Sequence, residues 1–449
     1  MRDQWHLRHT DDPADHAERR ARVANIVGAE GVAIIAATPE RNRNNDVDYP
    51  YRPNSDFRYL TGFCEPEAIA VIAPGFDEGD YLLFCRARNA DQEIWIGRRA
   101  GPEGAMADYG ADRAYAIDEF EDWIGRLLDG RRTLYLTFGG HPEFEQSVLD
   151  HLGALRSQGR GSVPPREVLA LDVLLHEMRL RKSESEIALM RQAAATSARA
   201  HAAAMQSVRP GMYEYQLAAI LHYTFESDGM HWAYPSIVGA GENACVLHYI
   251  ENSAPMADGD LVLIDAGAEY RGYAGDITRT FPVNGRFSAA QRELYDIVLA
   301  ANRAAIEAAK PGQPMNAVHQ AALEVLVAGL IDIGLLEGTV DEAIAEESYR
   351  AYFMHGTSHW LGMDVHDVGD YKIEGEWRLL EPGMALTVEP GLYVRAEDNP
   401  SSRFANIGIR VEDDIVITDT SCEVLTADVP KDADEIEALM AKPYRSEIA

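Results

Sequence analysis

The segment LVLIDAGAEYRGYAGDITRTFPV, Leu261 to Val283, sets a carboxylate inside each of two apolar runs. It reads as two strands around a turn at Glu269-Tyr270-Arg271-Gly272. Counting outward from that turn puts Asp265 directly opposite Asp276, with Cβ atoms about 4.5–5.5 Å apart on one face. Asp is disfavoured in mid-strand, and like charges so placed destabilise a ladder. The pair therefore asks for a compensating cation, and two metal ions about 3.5–4 Å apart would fit between such carboxylates. The plainer alternatives are that one Asp is a turn or cap residue, or that a bulge shifts the register.

More candidates lie downstream. HGTSHWLGMDVHDVG (355–369) carries His355, His359 and His366 among glycines, which permit close backbone approach to a ligand. It is not H-E-x-x-H, because Gly356 follows His355, so a helical zinc protease is disfavoured. Singly, each histidine is more often structural. Glu389 ends the apolar run ALTVEPG, and Arg410 and Glu412 sit two apart in IGIRVEDDIVIT, on one strand face. That last pair alone could be a buried structural ion pair. Together Asp265, Asp276, His359, Glu389 and Glu412 form a mostly oxygen donor set. Such a set favours a hard or borderline metal such as Mn²⁺ over a structural zinc site. Four carboxylate charges match two divalent cations, and a bridging hydroxide would then be the nucleophile.

Charge narrows the partners. The chain has 449 residues with 73 Asp+Glu against 41 Lys+Arg, a formal charge of −32. That excess argues against nucleic acid and against an anionic membrane surface as main partners. The longest apolar stretches, such as 31–37 and 68–73, fall far short of the ~20 residues a membrane span needs. The N-terminus is charged, without an apolar signal core, and the four cysteines form no C-x-x-C pair. These features lead to the expectation of a cytoplasmic protein with reduced thiols.

The first third alternates helix (17–27, 119–128) and strand (31–38, 68–74, 80–87, 133–139), which predicts a small α/β domain. A polar loop-like stretch, 157–167, follows, and the domain boundary is expected near 172–182. Ser183 with Glu186 fits a capping box that opens a helical stretch over about 184–228. Strands are expected from about 244 to 283. Helices follow over about 289–309, capped by Ser288 with Gln291, and 314–335, and then strands over about 352–418. Two rounds of helix then hairpin suggest an internal pseudo-repeat.

At these residues the chain resembles the pita-bread metallopeptidases, and within them the aminopeptidase P (Xaa-Pro aminopeptidase) group. DAG…GDITRTF, HGTSHWLGMDVHD, TVEPGLY and GIRVEDD resemble the catalytic domain, and NSDFRYLTGFCEPEA and EIWIGRRAG the N-terminal one. The resemblance implies an α/β N-terminal domain over 1–175 and an α+β pita-bread catalytic domain over 176–449, with a pseudo-two-fold repeat. It implies a dinuclear centre with Asp265 on one metal, Asp276 and Glu412 bridging, and His359 and Glu389 completing the set. His248 would line the substrate site, His366 would stabilise the tetrahedral intermediate, and Glu389 would also shuttle a proton. His355 and Arg410 would support or line the pocket, with Tyr393 nearby. The implied activity is removal of the N-terminal residue from peptides with proline second, by a homo-oligomer (dimer or tetramer) in which Trp95 helps close a neighbouring subunit's site. Prolidase shares the ligands but cuts only dipeptides. Methionine aminopeptidase lacks so large an N-terminal domain and the R-x-E-D pattern of Arg410 to Asp413, and creatinase lacks the ligands. A catalytically inactive binding protein on the same fold is the non-enzyme alternative.

Overall fold

The structure is a computed structural model, which describes residues 13–398 and 401–443. The chain divides into two compact units, Met1–His176 and Glu177–Ala449.

The first unit is built on short, fully apolar strands. Gly31–Ala36 and Tyr81–Cys85 are buried along their whole length, as strands covered on both faces must be. They belong to a six-stranded mixed sheet in the order 113–116, 81–85, 69–72, 31–36, 133–136, 167–170. Ile69–Ile72 runs antiparallel to both of its neighbours, and the other pairs are parallel. Helices Phe120–Leu128 and Pro142–Ser157 cover it through Ile124, Leu127, Val148 and Leu152. Helix Ser55–Thr61 starts where the Asn54 side chain accepts from the Phe57 amide, and stops at Gly62 in the left-handed region. Between the end of helix Pro142–Ser157 and the strand that starts at Glu167, the polar stretch is irregular apart from one 3₁₀ turn, Gly159–Gly161.

The second unit begins with the expected capping box. The Glu186 amide donates to Ser183 Oγ (3.3 Å) and the Ser183 amide to Glu186 Oε2 (2.9 Å). The helical stretch is two helices, Glu184–Ser207 and Glu214–Ser227, parted at Arg209-Pro210-Gly211, where proline cannot continue the ladder. Helices Ala289–Ala308 and Asn316–Asp332 form the second round, and the first again opens on a reciprocal cap, between Ser288 and Gln291. After the first round come strands Ile237–Ala240, Leu261–Asp265 and Thr278–Pro282 in one sheet. After the second come Ala385–Val388, Asp413–Ile417 and Cys422–Val424 in another, with Gly391–Val394 paired to Ile407–Arg410. The first strand round thus starts before residue 244. Residues 352–371 form irregular chain rather than named strands. No helix among the described residues is long and apolar enough to cross a membrane.

The register of the first hairpin differs from the expectation. The turn has two residues, Arg271 (φ 50°) and Gly272 (φ 84°), between the paired Tyr270 and Tyr273. Positive φ at both positions makes it a type I′ turn, whose twist suits a hairpin. Asp265 then faces Thr278, not Asp276. Because the shift is even, Asp276 keeps its face and becomes the diagonal neighbour of Asp265.

Candidate metal centre

Hydrogen bonds from Ala266 N to the Ile277 carbonyl (3.0 Å) and from Gly275 N to the Ala268 carbonyl (2.9 Å) carry the register between the two strands, so Asp276 stands opposite Gly267. A Cβ on Gly267 would lie 1.7 Å from the Gly275 carbonyl oxygen, so only glycine lets the chains close there. The Tyr234 hydroxyl spans both aspartates, 2.6 Å from Asp265 Oδ1 and 2.5 Å from Asp276 Oδ1. Arg410 Nη2 donates to Asp265 Oδ2 at 2.5 Å, and the Asp276 amide donates to Asp414 Oδ2 at 2.9 Å.

The second round supplies the rest. Residues 357–361 run beside strand Ala385–Val388, with Leu361 N to Ala385 O (3.0 Å), Thr387 N to His359 O (3.0 Å) and Glu389 N to Thr357 O (2.8 Å). His359 therefore opposes Thr387 and lies diagonal to Glu389. Val388 pairs with Asp413, and the next step of that register sets Glu389 opposite Glu412. The like-charged pair anticipated at the two aspartates thus occurs at the two glutamates.

Asp276, His359 and Glu412 each offer a ligand atom, all within 4.8 Å of one another. These three, with Asp265 and Glu389, line one cavity of about 570 Å³, whose wall also includes His248, His355, His366 and Arg410. His359 Nδ1 lies 3.0 Å from the Trp360 carbonyl, which makes it the protonated nitrogen and leaves Nε2 facing Asp276 Oδ2 and Glu389 Oε1, each at 3.5 Å. The His366 ring packs against that of His359, tilted by 36° with centroids 4.1 Å apart.

Arg410 Nη1 donates to the Tyr393 hydroxyl (3.0 Å), which leaves that hydroxyl to donate to His355 Nε2 (2.9 Å). His355 Nδ1 then donates to the Gly356 carbonyl at 2.7 Å. Burial first, and Arg410 second, push the His355 imidazolium down to about 3, so the ring is neutral at physiological pH. Trp95 belongs to the other unit, on helix Ala90–Ile96, and is 85% exposed.

The carboxylates are held at a cost. Burial raises Asp265 and lifts Glu412 well above the ordinary range, with the charge of Asp276 adding to both. Burial also raises Glu389, to about 7, against the pull of His359 and Arg410. For His359 burial opposes the charged ring, but Asp276 and Glu389 outweigh it and raise it to about 9. Arg410 and His359 offer at most two positive charges against three buried carboxylates and the half-buried Glu389, so the donor set fits hard divalent cations.

Sequence reasoning passed over Tyr234 and Thr278. The Thr278 hydroxyl donates to Glu412 Oε2 (2.6 Å) and accepts from Arg410 Nε (2.9 Å). A threonine in a strand is ordinary, so no local signal marks it. Its place opposite Asp265 does.

Comparison with known proteins agrees with this geometry. Residues 188–419 match the model for metallopeptidase family M24, and residues 16–135 that for the aminopeptidase P N-terminal domain. The chain is 48% identical to the Xaa-Pro aminopeptidase of Escherichia coli over 425 residues, covering 94% of this chain and 96% of that protein. It is 42% identical to the Haemophilus influenzae Xaa-Pro aminopeptidase, with 94% and 96% covered. A solved aminopeptidase structure from Pseudomonas aeruginosa superposes with a TM-score of 0.95 at 50% identity, covering 96% of this chain and 99% of that one. An E. coli aminopeptidase P variant in complex with substrate gives 0.92 at 46% identity, with 96% and 98% covered.

Proposed function

Since this chain belongs to metallopeptidase family M24 and carries an aminopeptidase P N-terminal domain, we propose that it is a metal-dependent Xaa-Pro aminopeptidase, releasing the first residue of peptides whose second residue is proline. The observation that carries the reading is the meeting of Asp265, Asp276, His359, Glu389 and Glu412 on one cavity wall, in a chain 48% identical to such an enzyme.

In this reading those five side chains would hold two divalent cations, Mn²⁺ by donor chemistry, with Asp276 and Glu412 serving as ligands for both. Two such cations would polarise the scissile carbonyl and lower the pKa of a water enough for it to attack near neutral pH. The chain's own residues do the rest. An Xaa-Pro bond has a tertiary amide nitrogen with no N–H to grip, so the substrate is held by its other groups. The acidic wall around Asp265 and Glu412 receives the free ammonium. His366 donates to the oxygen that gains charge as the carbonyl turns tetrahedral. Glu389 takes a proton and returns it to the proline nitrogen as the bond breaks. His248 lines the substrate site, and Arg410 and Tyr393 hold neutral His355 in one tautomer at its edge.

The reading extends to a cytoplasmic homo-oligomer. Helix Ala90–Ile96 buries none of its residues and exposes Ile94 (78%) and Ile96 (59%) beside Trp95, an apolar surface suited to self-association. In it Trp95 closes a neighbouring subunit's site.

The test is a Mn²⁺-loaded hydrolysis assay that compares an Xaa-Pro dipeptide with a longer Xaa-Pro-Yaa peptide. Cleavage of the longer peptide supports the aminopeptidase. Cleavage of the dipeptide alone would make it a prolidase, and metal binding with no hydrolysis would make it a binding protein.

A further inference from the structure

Pro390 follows Glu389 and leaves a gap in the strand pair that carries both glutamates. Val411 N donates to the Pro390 carbonyl at 3.3 Å, which continues the register that pairs Val388 with Asp413. In such an antiparallel pair the partner returns the bond. Proline has no N–H to return, so the Val411 carbonyl loses its ladder donor one residue before Glu412. A side chain from another element fills the gap. Asn302, wholly buried within helix Ala289–Ala308, donates through Nδ2 to the Val411 carbonyl (3.3 Å) and to the Val388 carbonyl (3.0 Å). These carbonyls belong to the residues directly preceding Glu412 and Glu389.

The orientation of the amide is forced. Lys431 Nζ donates to Asn302 Oδ1 at 2.9 Å and to Asp413 Oδ2 at 2.6 Å. An ammonium only donates and a carbonyl only accepts, so the amide cannot turn over. Arg279 closes the far side, donating to Asp413 Oδ1 (2.8 Å) and to the Glu412 carbonyl (2.5 Å). Every hydrogen-bonding group of the Asn302 amide is therefore used, and all of it bears on the strand ends where two like charges face each other.

We propose that Asn302 is a positioning residue for the metal centre: it replaces the backbone donor that Pro390 lacks and so sets the spacing of Glu389 and Glu412. This rests on the metal-centre reading above. The experiment titrates metal-free wild type, Asn302→Leu and Asn302→Leu/Pro390→Ala with Mn²⁺ by calorimetry, and records the visible spectrum of each Co²⁺ form, with far-UV circular dichroism as the check of folding. The single variant is expected to bind at least one equivalent about 10- to 100-fold more weakly, the usual effect of losing a ligand's supporting partner, with an altered Co²⁺ spectrum. The double variant regains an N–H at position 390 and should recover much of that affinity, which a loss of general packing would not do. A single variant that binds both equivalents within twofold of wild type, with an unchanged spectrum, overturns the proposal. If the single variant does not fold, the double variant decides: recovery of fold and binding supports the assignment, and failure of either overturns it. A wild type that binds no metal would instead defeat the metal-centre reading itself.

Discussion

Substituting Thr278→Val changes the shape of a wholly buried side chain very little but removes one hydroxyl from under the candidate ligands. That hydroxyl donates to Glu412 Oε2 at 2.6 Å and accepts from Arg410 Nε at 2.9 Å. A hydrogen bond to a carboxylate is worth about 1.5–3 kcal/mol. Loss of a ligand's supporting partner typically weakens metal binding about 10- to 100-fold, or about 1.4–2.7 kcal/mol. The two ranges agree, so the dissociation constant for Mn²⁺ should rise about 10- to 100-fold. Arg410 keeps its bonds to Asp265 and Tyr393, and the Glu412 amide keeps its bond to the Thr278 carbonyl (3.0 Å), so the site should not collapse. The penalty to the metal-free fold is then that of an orphaned buried donor, Arg410 Nε, and an orphaned acceptor, Glu412 Oε2, at about 1–3 kcal/mol each. Calorimetric titration of metal-free protein gives the affinity, and urea unfolding gives the stability. A folded variant that binds Mn²⁺ within twofold of wild type would show that the hydroxyl does not orient Glu412, and would refute the reasoning.

Asp276→Ala and Glu412→Ala should each lose bound metal and peptidase activity together, checked by elemental analysis beside the assay; full activity in either defeats the shared-ligand assignment. Asp367, buried between Arg179 (2.5 Å) and Lys182 (2.9 Å), anchors the loop that carries His366. Asp367→Asn leaves two buried cations underpaired and should cost about 3–5 kcal/mol at pH 7 by urea unfolding; a loss below about 1 kcal/mol would contradict this. Burial opposes the Asp367 charge, but Lys182 and Arg179 more than offset it and hold the carboxyl below its usual value. Its contribution is therefore complete above about pH 4 and fades as pH falls through the folded-state value, so wild type and variant should converge in strong acid. His201 shows the opposite case. Burial lowers it to about 4, so the unfolded chain takes up its proton first as pH falls from about 6.5. Wild type should lose stability between about pH 6.5 and 4, whereas His201→Gln should lose less over that window; parallel curves would exclude the effect.

The parts legible in the sequence are those with a local cause. The caps at Ser183 and Ser288 need only a side chain and an amide three residues away, and both form as read. The candidate ligands stand out because a charge inside an apolar strand pattern breaks the rule that buried charges are paired. Register was less accessible, since it turned on Arg271 taking a left-handed φ that non-glycine residues seldom adopt. The expected opposition of Asp265 and Asp276 gave way to a diagonal, and the opposed pair proved to be Glu389 and Glu412.

The supporting residues carry no such mark. Asn302 is one polar residue within a twenty-residue helix, Thr278 a threonine in a strand, and Tyr234 a tyrosine in a loop. Their partners lie far away in sequence: Asn302 reaches Val388 and Val411, and Thr278 reaches Glu412. Sequence alone determined which elements form and which charged side chains must be compensated, because propensity, capping and the cost of burying charge act on each residue where it stands. Only tertiary structure decided which carboxylates face one another and what holds them there, because hydrogen-bond partners from 31 to 134 residues apart meet only after the chain has folded.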